Sequence, residues 1–204
     1  KKVIEILLER KRAKMEREFE EAKRLSEDVK KSLSALFWEK RLGLKPEDIM
    51  EPLSDLREME LRTVRMIEEA NREIMIFTRS FGWYSKVKEA LLCARDKGAR
   101  VRVLMKVVDR ASGRRALELL NLGAEVRQCK EEWYPIVGTI VDGEELIFLV
   151  WAVDKTKAKR PVFYRPHYTR NKGIVTVFLE AFEKRWKEAI PLSEDSKILK
   201  EFLG

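Results

Sequence analysis

One stretch of this 204-residue chain limits its fold more than any other, because it predicts a β-hairpin buried on both faces. Residues 136–141 are mostly apolar and β-branched, Asp142-Gly143 is a strong two-residue turn signal, and residues 146–151 form a second apolar run. Strands that are apolar almost throughout lie inside a sheet that is covered on both faces. The hairpin is therefore predicted to occupy the middle of such a sheet.

Helix and strand patterns alternate along the chain before the hairpin, and helices follow it. The predicted strands lie near Ile49 and over 73–78, 99–108 and 124–129. The predicted helices cover 56–71, a segment capped by Ser85 and ended by Gly98, 113–122 opened by Ser112, 173–188 and 194–202. This alternating order is typical of right-handed crossovers on a largely parallel or mixed sheet.

The N-terminal region is predicted to be one long helix, because residues 2–38 contain no Gly or Pro and are rich in helix-forming residues. Its apolar residues repeat in sevens, with breaks at Arg12 and Ser26, and form the seam Leu8, Met15, Phe19, Ala22, Val29, Leu33 and Leu36. A helix of about 50 Å is too long for one small domain to cover. We expect this seam to pair two copies of the chain, although a helix folded back on its own domain is the alternative.

The hairpin has the spacing of a phospholipase D motif without its reactive residues. In that superfamily a strand carries His-x-Lys, Asp follows after four residues, and Gly-Ser after six more. With Asp142 as the Asp, Pro135 and Val137 take the His and Lys positions, and Leu149-Val150 takes the Gly-Ser position. The chain thus resembles the phospholipase D superfamily. Proline offers no nucleophile and valine no charge for a phosphate, so we expect no enzymatic activity.

A sheet of this kind after a long helix resembles the C-terminal region of TrmB-type archaeal transcription regulators. The resemblance implies an α/β fold, with a coiled-coil dimerisation helix at 1–42 and a phospholipase D-like mixed sheet, flanked by helices, at 46–204. It also implies a homodimer whose winged-helix DNA-binding domain lies outside these residues. An effector would then change the spacing of the two DNA-reading heads. We expect the extra C-terminal subdomain of the sugar-binding members to be missing, which argues against a sugar as the effector.

The candidate effector site lies beyond the carboxyl ends of the parallel strands, where open α/β sheets bind ligands. The residues predicted there are Arg79, Ser80, Trp83, Lys106, Asp109 and Arg110, with Tyr134 leading into the hairpin. The cations suit an anionic effector, and the aromatic residues suit a sugar or a base. Ordinary loop residues with aromatic side chains that close the sheet end are the alternative interpretation.

A basic segment at 155–172 is predicted to be irregular. Basic residues interleaved with aromatic ones can hold a nucleic-acid backbone and stack on bases. The candidate contacts are Lys157, Lys159, Arg160, Arg165 and His167. A solvated loop is the plainer interpretation of this segment. Two further alternatives remain: an architectural DNA-coating body with no effector, and a phosphodiesterase or nuclease that depends on His167, the only histidine.

Composition limits the remaining classes of protein. Charged residues make up 38% of the chain, which is typical of proteins from hot environments, and the net charge of +8 permits an anionic partner. No apolar run is long enough for a membrane helix. Cys93 and Cys129 are predicted to be buried thiols, and no metal-ligand spacing is present. We therefore expect a cytoplasmic protein with no metal, no cofactor and no membrane contact.

Overall fold

A computed structural model describes residues 49–130, 135–152 and 163–203, together with positions 11, 12, 15, 16, 19, 23, 26 and 29. The chain divides into two compact units, Lys1–Pro46 and Glu47–Gly204. Every described position of the first unit is helical, and the seam residues Met15, Phe19 and Val29 are exposed there. The seam residues Leu8, Ala22, Leu33 and Leu36 lie outside the described residues.

The second unit is built on one eight-stranded mixed sheet. Its strands are β1 (Glu51–Pro52), β2 (Glu73–Phe77), β3 (Arg100–Met105), β4 (Glu125–Gln128), β5 (Ile136–Val141), β6 (Glu145–Val150), β7 (His167–Thr169) and β8 (Ile190–Pro191). They lie in the order β1-β7-β6-β5-β2-β3-β4-β8. Among the described strands, β3 pairs in parallel with β2 and with β4, and the other pairs are antiparallel. The predicted hairpin is β5 and β6, and its interior position in the sheet is confirmed.

Helices cover both faces of this sheet. They are α1 (Leu56–Glu69), α2 (Tyr84–Asp96), α3 (Arg110–Asn121), α4 (Lys172–Glu188) and α5 (Lys197–Leu203). Alternate side chains of each strand point to opposite faces. Ile74 and Ile76 of β2 belong to the core that α1, α2, α3 and α5 cover. Met75 and Phe77 belong to a second core, which α4 covers with Val175, Phe182 and Trp186. No described helix is long and apolar enough to cross a membrane.

Two predicted helix starts are wrong by a few residues. The third helix begins at Arg110, because the Asp109 carboxylate accepts a hydrogen bond from the backbone N–H of Ser112 at 2.6 Å and forms a capping box. Ser112 is thus a partner of the cap rather than the cap itself. Ser85 lies inside α2, which begins at Tyr84 with no side-chain cap.

Three other local predictions are also corrected. The first strand is Glu51–Pro52, whereas Ile49 is helical. The segment 155–172 is not irregular throughout, because β7 pairs with both β6 and β1. Cys129 is buried as predicted, but Cys93 is exposed. The buried face of α2 carries Val87, Ala90, Leu91 and Ala94, and the helical period places Cys93 on another side.

The hairpin turn is tied to the start of β2 by the side chain of Asp142. Asp142 and Gly143 have positive φ values of 54° and 70°, which suits a two-residue hairpin turn. The Asp142 carboxylate accepts hydrogen bonds from the backbone N–H groups of Asn71, Arg72 and Glu73 at 2.9, 2.8 and 2.8 Å. The backbone N–H of Asp142 donates to the Glu73 carbonyl at 2.8 Å. These bonds join two segments that are far apart in sequence.

These contacts also set the acidity of Asp142. Partial burial alone would raise the pKa of its carboxyl group. The three backbone N–H donors, helped by the Arg72 guanidinium, outweigh burial and lower the pKa below its usual value of 3.8. A lowered pKa in the folded state means that the carboxylate stabilises the fold above its unfolded pKa. This contribution is lost as the pH falls through the lowered folded value.

We expect Asp142→Asn to reduce the free energy of unfolding by about 2 kcal/mol at pH 7, because hydrogen bonds to a charged acceptor are lost. The deficit should shrink as the pH falls below about 4, because the Asp142 carboxylate is protonated first in the unfolded chain and then, at its lowered pKa, in the folded one. Urea denaturation at pH 7 and pH 3 measures both effects. Asp96→Asn is the control, since Asp96 is exposed and pairs only with Arg95 among the described residues. An equal loss in both variants, or a deficit independent of pH, contradicts this role.

Candidate ligand-binding site

A pocket of about 330 Å³ lies at the edge of the sheet where β2 and β6 end and β5 begins. Three separate parts of the chain line it: the first turns of α1, the loop 78–83 with the start of α2, and the open end of the hairpin. Most of its walls are apolar or aromatic. Its volume is at the lower end of the range for small-molecule sites, which is about 300–1,000 Å³.

The hairpin supplies one wall of this pocket through Val137, Leu149 and Trp151. Val137 of β5 lies directly opposite Leu149 of β6, and Trp151 follows two residues later on the same face. Val137 and Leu149 are the residues that the motif alignment places at the Lys and Gly positions. The structure therefore brings these two positions together at a cavity whose wall here is apolar.

The loop 78–83 contains the most strained backbone near the pocket. Phe81 has a φ of 51°, which is unfavourable for a bulky side chain. Its ring is fully buried and meets the rings of Trp83 and Tyr84 edge-on, with centroids 4.7 and 5.5 Å apart. Such strain persists where surrounding packing compensates for it, and it often marks functional sites. Phe81 thereby holds Trp83 at the pocket wall.

Hydrogen bonds attach the same loop to neighbouring elements. The backbone N–H of Thr78 donates to the Leu104 carbonyl at 2.9 Å, and that of Lys106 donates to the Arg79 carbonyl at 2.6 Å. The Arg115 guanidinium of α3 donates to the Ser80 carbonyl at 2.8 Å. The loop is thus fixed to β3 and α3, so the pocket wall is preformed.

Charged side chains lie at one part of the pocket. Glu60 of α1 and Lys86 of α2 both line it and form an ion pair with each other, in which Lys86 is about half exposed. Arg79 also lines the pocket. The three residues together carry one net positive charge. Deeper in, the Thr63 hydroxyl donates to the Met59 carbonyl at 2.7 Å.

Tyr84 lies just beneath this loop and takes no part in acid–base chemistry near neutral pH. Burial, with a smaller contribution from the Glu118 carboxylate, raises the pKa of Tyr84 to about 12. Its phenol group therefore stays protonated, and the side chain serves to support Phe81.

The structure brings together only some of the predicted effector residues. Arg79, Ser80 and Trp83 line the pocket. Asp109 caps α3, and hydrogen bonds from Ser112 lower the pKa of its carboxyl group. Arg110 is the first residue of α3, and neither it nor Lys106 is among the lining residues. Tyr134 lies outside the described residues.

Sequence reasoning missed the residues of α1 and the hairpin that line the pocket. Met59 and Thr63 of α1 fit an ordinary buried helix face, so their pattern gave no sign of a site. Val137 and Leu149 could have been predicted to line the site, because the motif alignment places both at active-site positions. Trp151 follows them on the same strand face.

The basic segment has a structural role where it is described. The Arg165 guanidinium donates to the Leu53 carbonyl at 2.7 Å, and His167 begins β7. The His167 ring stacks on Phe148, with centroids 6.0 Å apart, and Phe148 packs into the core that α4 covers. The pocket lies on the other face of the sheet, with Leu149. Lys157, Lys159 and Arg160 lie outside the described residues.

Comparison with known proteins identifies the fold. No protein-family model and no curated protein sequence matches this chain. Nuc from Salmonella typhimurium, a phospholipase D family member, matches with a TM-score of 0.56 at 18% identity, over 71% of this chain and 97% of Nuc. NucT from Helicobacter pylori matches with a TM-score of 0.51 at 12% identity, over 70% of this chain and 97% of NucT. The sheet and its helices therefore have a phospholipase D-like fold.

A third solved structure extends the likeness beyond this domain. TrmBL2, described as an archaeal chromatin protein with a novel mode of DNA binding, matches with a TM-score of 0.52 at 19% identity. The match covers 91% of this chain and 70% of TrmBL2. Residues 47–204 make up less than 91% of the chain, so the match also includes part of the N-terminal unit.

These structures contradict the prediction that the chain is not an enzyme. Nuc belongs to a family named for an enzyme, and NucT matches over a similar share of the chain, so the fold is one on which enzymes are built. The identities of positions 135 and 137 were too narrow a basis for excluding activity.

We expect Phe81→Ala to reduce the free energy of unfolding by about 3 kcal/mol, because it empties a fully buried site and leaves the strained φ in place. Gly82→Ala in the same loop is the matched control. A Cβ atom at Gly82 meets nothing within 4 Å, so this change should be nearly neutral. Urea denaturation measures both variants. Comparable losses in the two would mean that the Phe81 ring does not hold the loop.

Proposed function

We propose that this chain is the dimerising and ligand-sensing body of a DNA-associated regulator similar to TrmB-type proteins. The observation that carries this proposal is the likeness to TrmBL2 over 91% of the chain, which includes part of the N-terminal unit. The likeness to Nuc over 71% gives no such support for the N-terminal unit. The DNA association of TrmBL2 is thereby extended to this chain as a hypothesis.

The construction of the pocket supports a sensing role. Residues of α1, of the loop 78–83 and of the hairpin all line it. A ligand that contacts all three segments favours one arrangement of them over others, and a ligand acts as an effector only through such a difference. We infer that the ligand acts through α1, which is the first long helix described in the second unit along the chain.

The N-terminal unit supports pairing of two copies. Met15, Phe19 and Val29 are 61%, 68% and 51% exposed, and all three belong to one heptad seam. Large apolar side chains on one helix stripe gain free energy when a second helix covers them. A second copy presents the same stripe, so a homodimer buries the apolar stripes of both chains in one symmetric contact.

We expect the double variant Met15→Glu, Phe19→Glu to convert the dimer into a monomer, because it places four carboxylates in the seam of the pair. Sedimentation velocity measures the change. Leu61→Glu is the matched control, since Leu61 is 59% exposed on α1 and belongs to the second unit. It should leave the dimer intact. A monomeric wild-type chain, or dimers that survive the double variant, would contradict pairing through this seam.

We expect at least one compound from a panel of aromatic acids, sugars, sugar phosphates and nucleotides to bind saturably and raise the melting temperature. Binding should be lost in Val137→Phe, which fills the pocket from its wall. Val177→Phe is the control, because Val177 is exposed on α4 at the other face. Calorimetric titration measures both. No binding by any compound to the folded chain would remove the sensing role.

An architectural body that coats DNA without an effector is the second candidate function. It is favoured by one observation, the description of TrmBL2 as a chromatin protein. The net charge of +8 suits contacts with DNA phosphates. If no compound of the panel binds and the chain is still a dimer, the result would support this candidate over the sensor.

A further inference from the structure

We propose that the pocket takes a planar aromatic monocarboxylate, with its ring among the apolar walls and its carboxylate at Lys86. This inference rests on the proposed sensing role and adds the chemical class of the ligand. It is narrower than the anionic or sugar effector that the sequence predicts.

The interior of the pocket favours an aromatic ring over a sugar. Val137, Leu149, Trp151 and Trp83 contribute apolar or aromatic walls. Release of water from this cavity of about 330 Å³ on binding of an apolar ring is favourable. A sugar would need a hydrogen-bond partner for each hydroxyl group it buries, whereas these walls offer few.

Two polar groups of residues that line the pocket are already engaged in internal hydrogen bonds. The Thr63 hydroxyl donates to the Met59 carbonyl, and the Ser80 carbonyl accepts from Arg115. A ligand rich in hydroxyl groups would have to compete with these internal hydrogen bonds. An aromatic ring makes no such demand, and flat rings stack well against indole and phenyl side chains.

The ammonium group of Lys86 favours a negative charge on the ligand. Lys86 lines the pocket and pairs there with the Glu60 carboxylate. The Glu60–Lys86 pair is partly exposed to solvent, and such pairs contribute little to stability. A ligand carboxylate can therefore replace Glu60 as the partner of Lys86 without a large loss of folding stability.

The same exchange would couple binding to the helices. The Glu60–Lys86 pair joins α1 to α2 beside the pocket. A carboxylate that takes Lys86 loosens this link while the ring fills the space between α1 and the hairpin. Binding would thus alter how α1 is held, as the sensing role requires.

The test compares 2-naphthoate with 2-naphthamide, a neutral compound of nearly the same shape, by calorimetric titration of the full chain. We expect 2-naphthoate to bind about fivefold more tightly, because only it can pair with Lys86. Added salt should reduce this preference, since the charged site is partly exposed. Glucose 6-phosphate, which is charged but has no aromatic ring, should not bind.

Variants at the ion pair should change the preference in opposite directions. Lys86→Met should abolish the preference for 2-naphthoate and leave 2-naphthamide unaffected. Glu60→Gln should strengthen 2-naphthoate binding, because it frees Lys86. Lys88→Met is the matched control, since Lys88 lies on the same helix, pairs with Glu118 at 2.8 Å and does not line the pocket. It should change neither affinity.

The outcomes separate this inference from the proposed function. Equal affinities for the acid and the amide, or a preference that survives Lys86→Met, would overturn the carboxylate assignment. A different result is that 2-naphthoate does not bind, whereas another compound binds and its binding is lost in Val137→Phe. The proposed ligand class is then wrong and the sensing role stands. If nothing binds, both fail.

Discussion

The carboxylate of Asp142 is the contact on which the rest of the second unit depends. It accepts three backbone N–H groups at the start of β2, and one residue further along Ile74 pairs with Val141. This pairing sets the register between the parallel half of the sheet and the hairpin. A slip of one residue would turn Val137 and Leu149 to the opposite face and remove a wall of the pocket.

The motif alignment of the sequence places Asp142 at the Asp of a catalytic motif, and the structure gives its carboxylate three backbone N–H donors. In the same alignment Pro135 and Val137 take the positions of the reactive residues, whereas the fold resembles that of Nuc and NucT. Fold and activity are set by different features, because a fold positions a cavity and the side chains around that cavity perform chemistry. Here a cavity lies at the open end of the hairpin, and this part of its wall is apolar.

The buried guanidinium of Arg102 is a feature that the local sequence pattern does not predict. The alternation of side chains in β3 places Arg102 on the face opposite Val101 and Val103. This alternation does not predict that Arg102 is buried there. Its guanidinium donates to Glu73 at 2.5 Å and to Glu183 of α4 at 2.6 Å, and it lies 5.3 Å from the Trp186 ring centroid. Burial is tolerated because these distant partners compensate the charge.

The sequence by itself determined the hairpin, the α/β order and the heptad seam, because each depends on the spacing of residues close together in the chain. The tertiary structure decided which of these elements meet. Glu60, Trp83 and Leu149 share one pocket because the sheet places β6, β5 and β2 side by side, and His167 faces away from it. Local periodicity gives the face of a strand, whereas only strand order and register determine its neighbours.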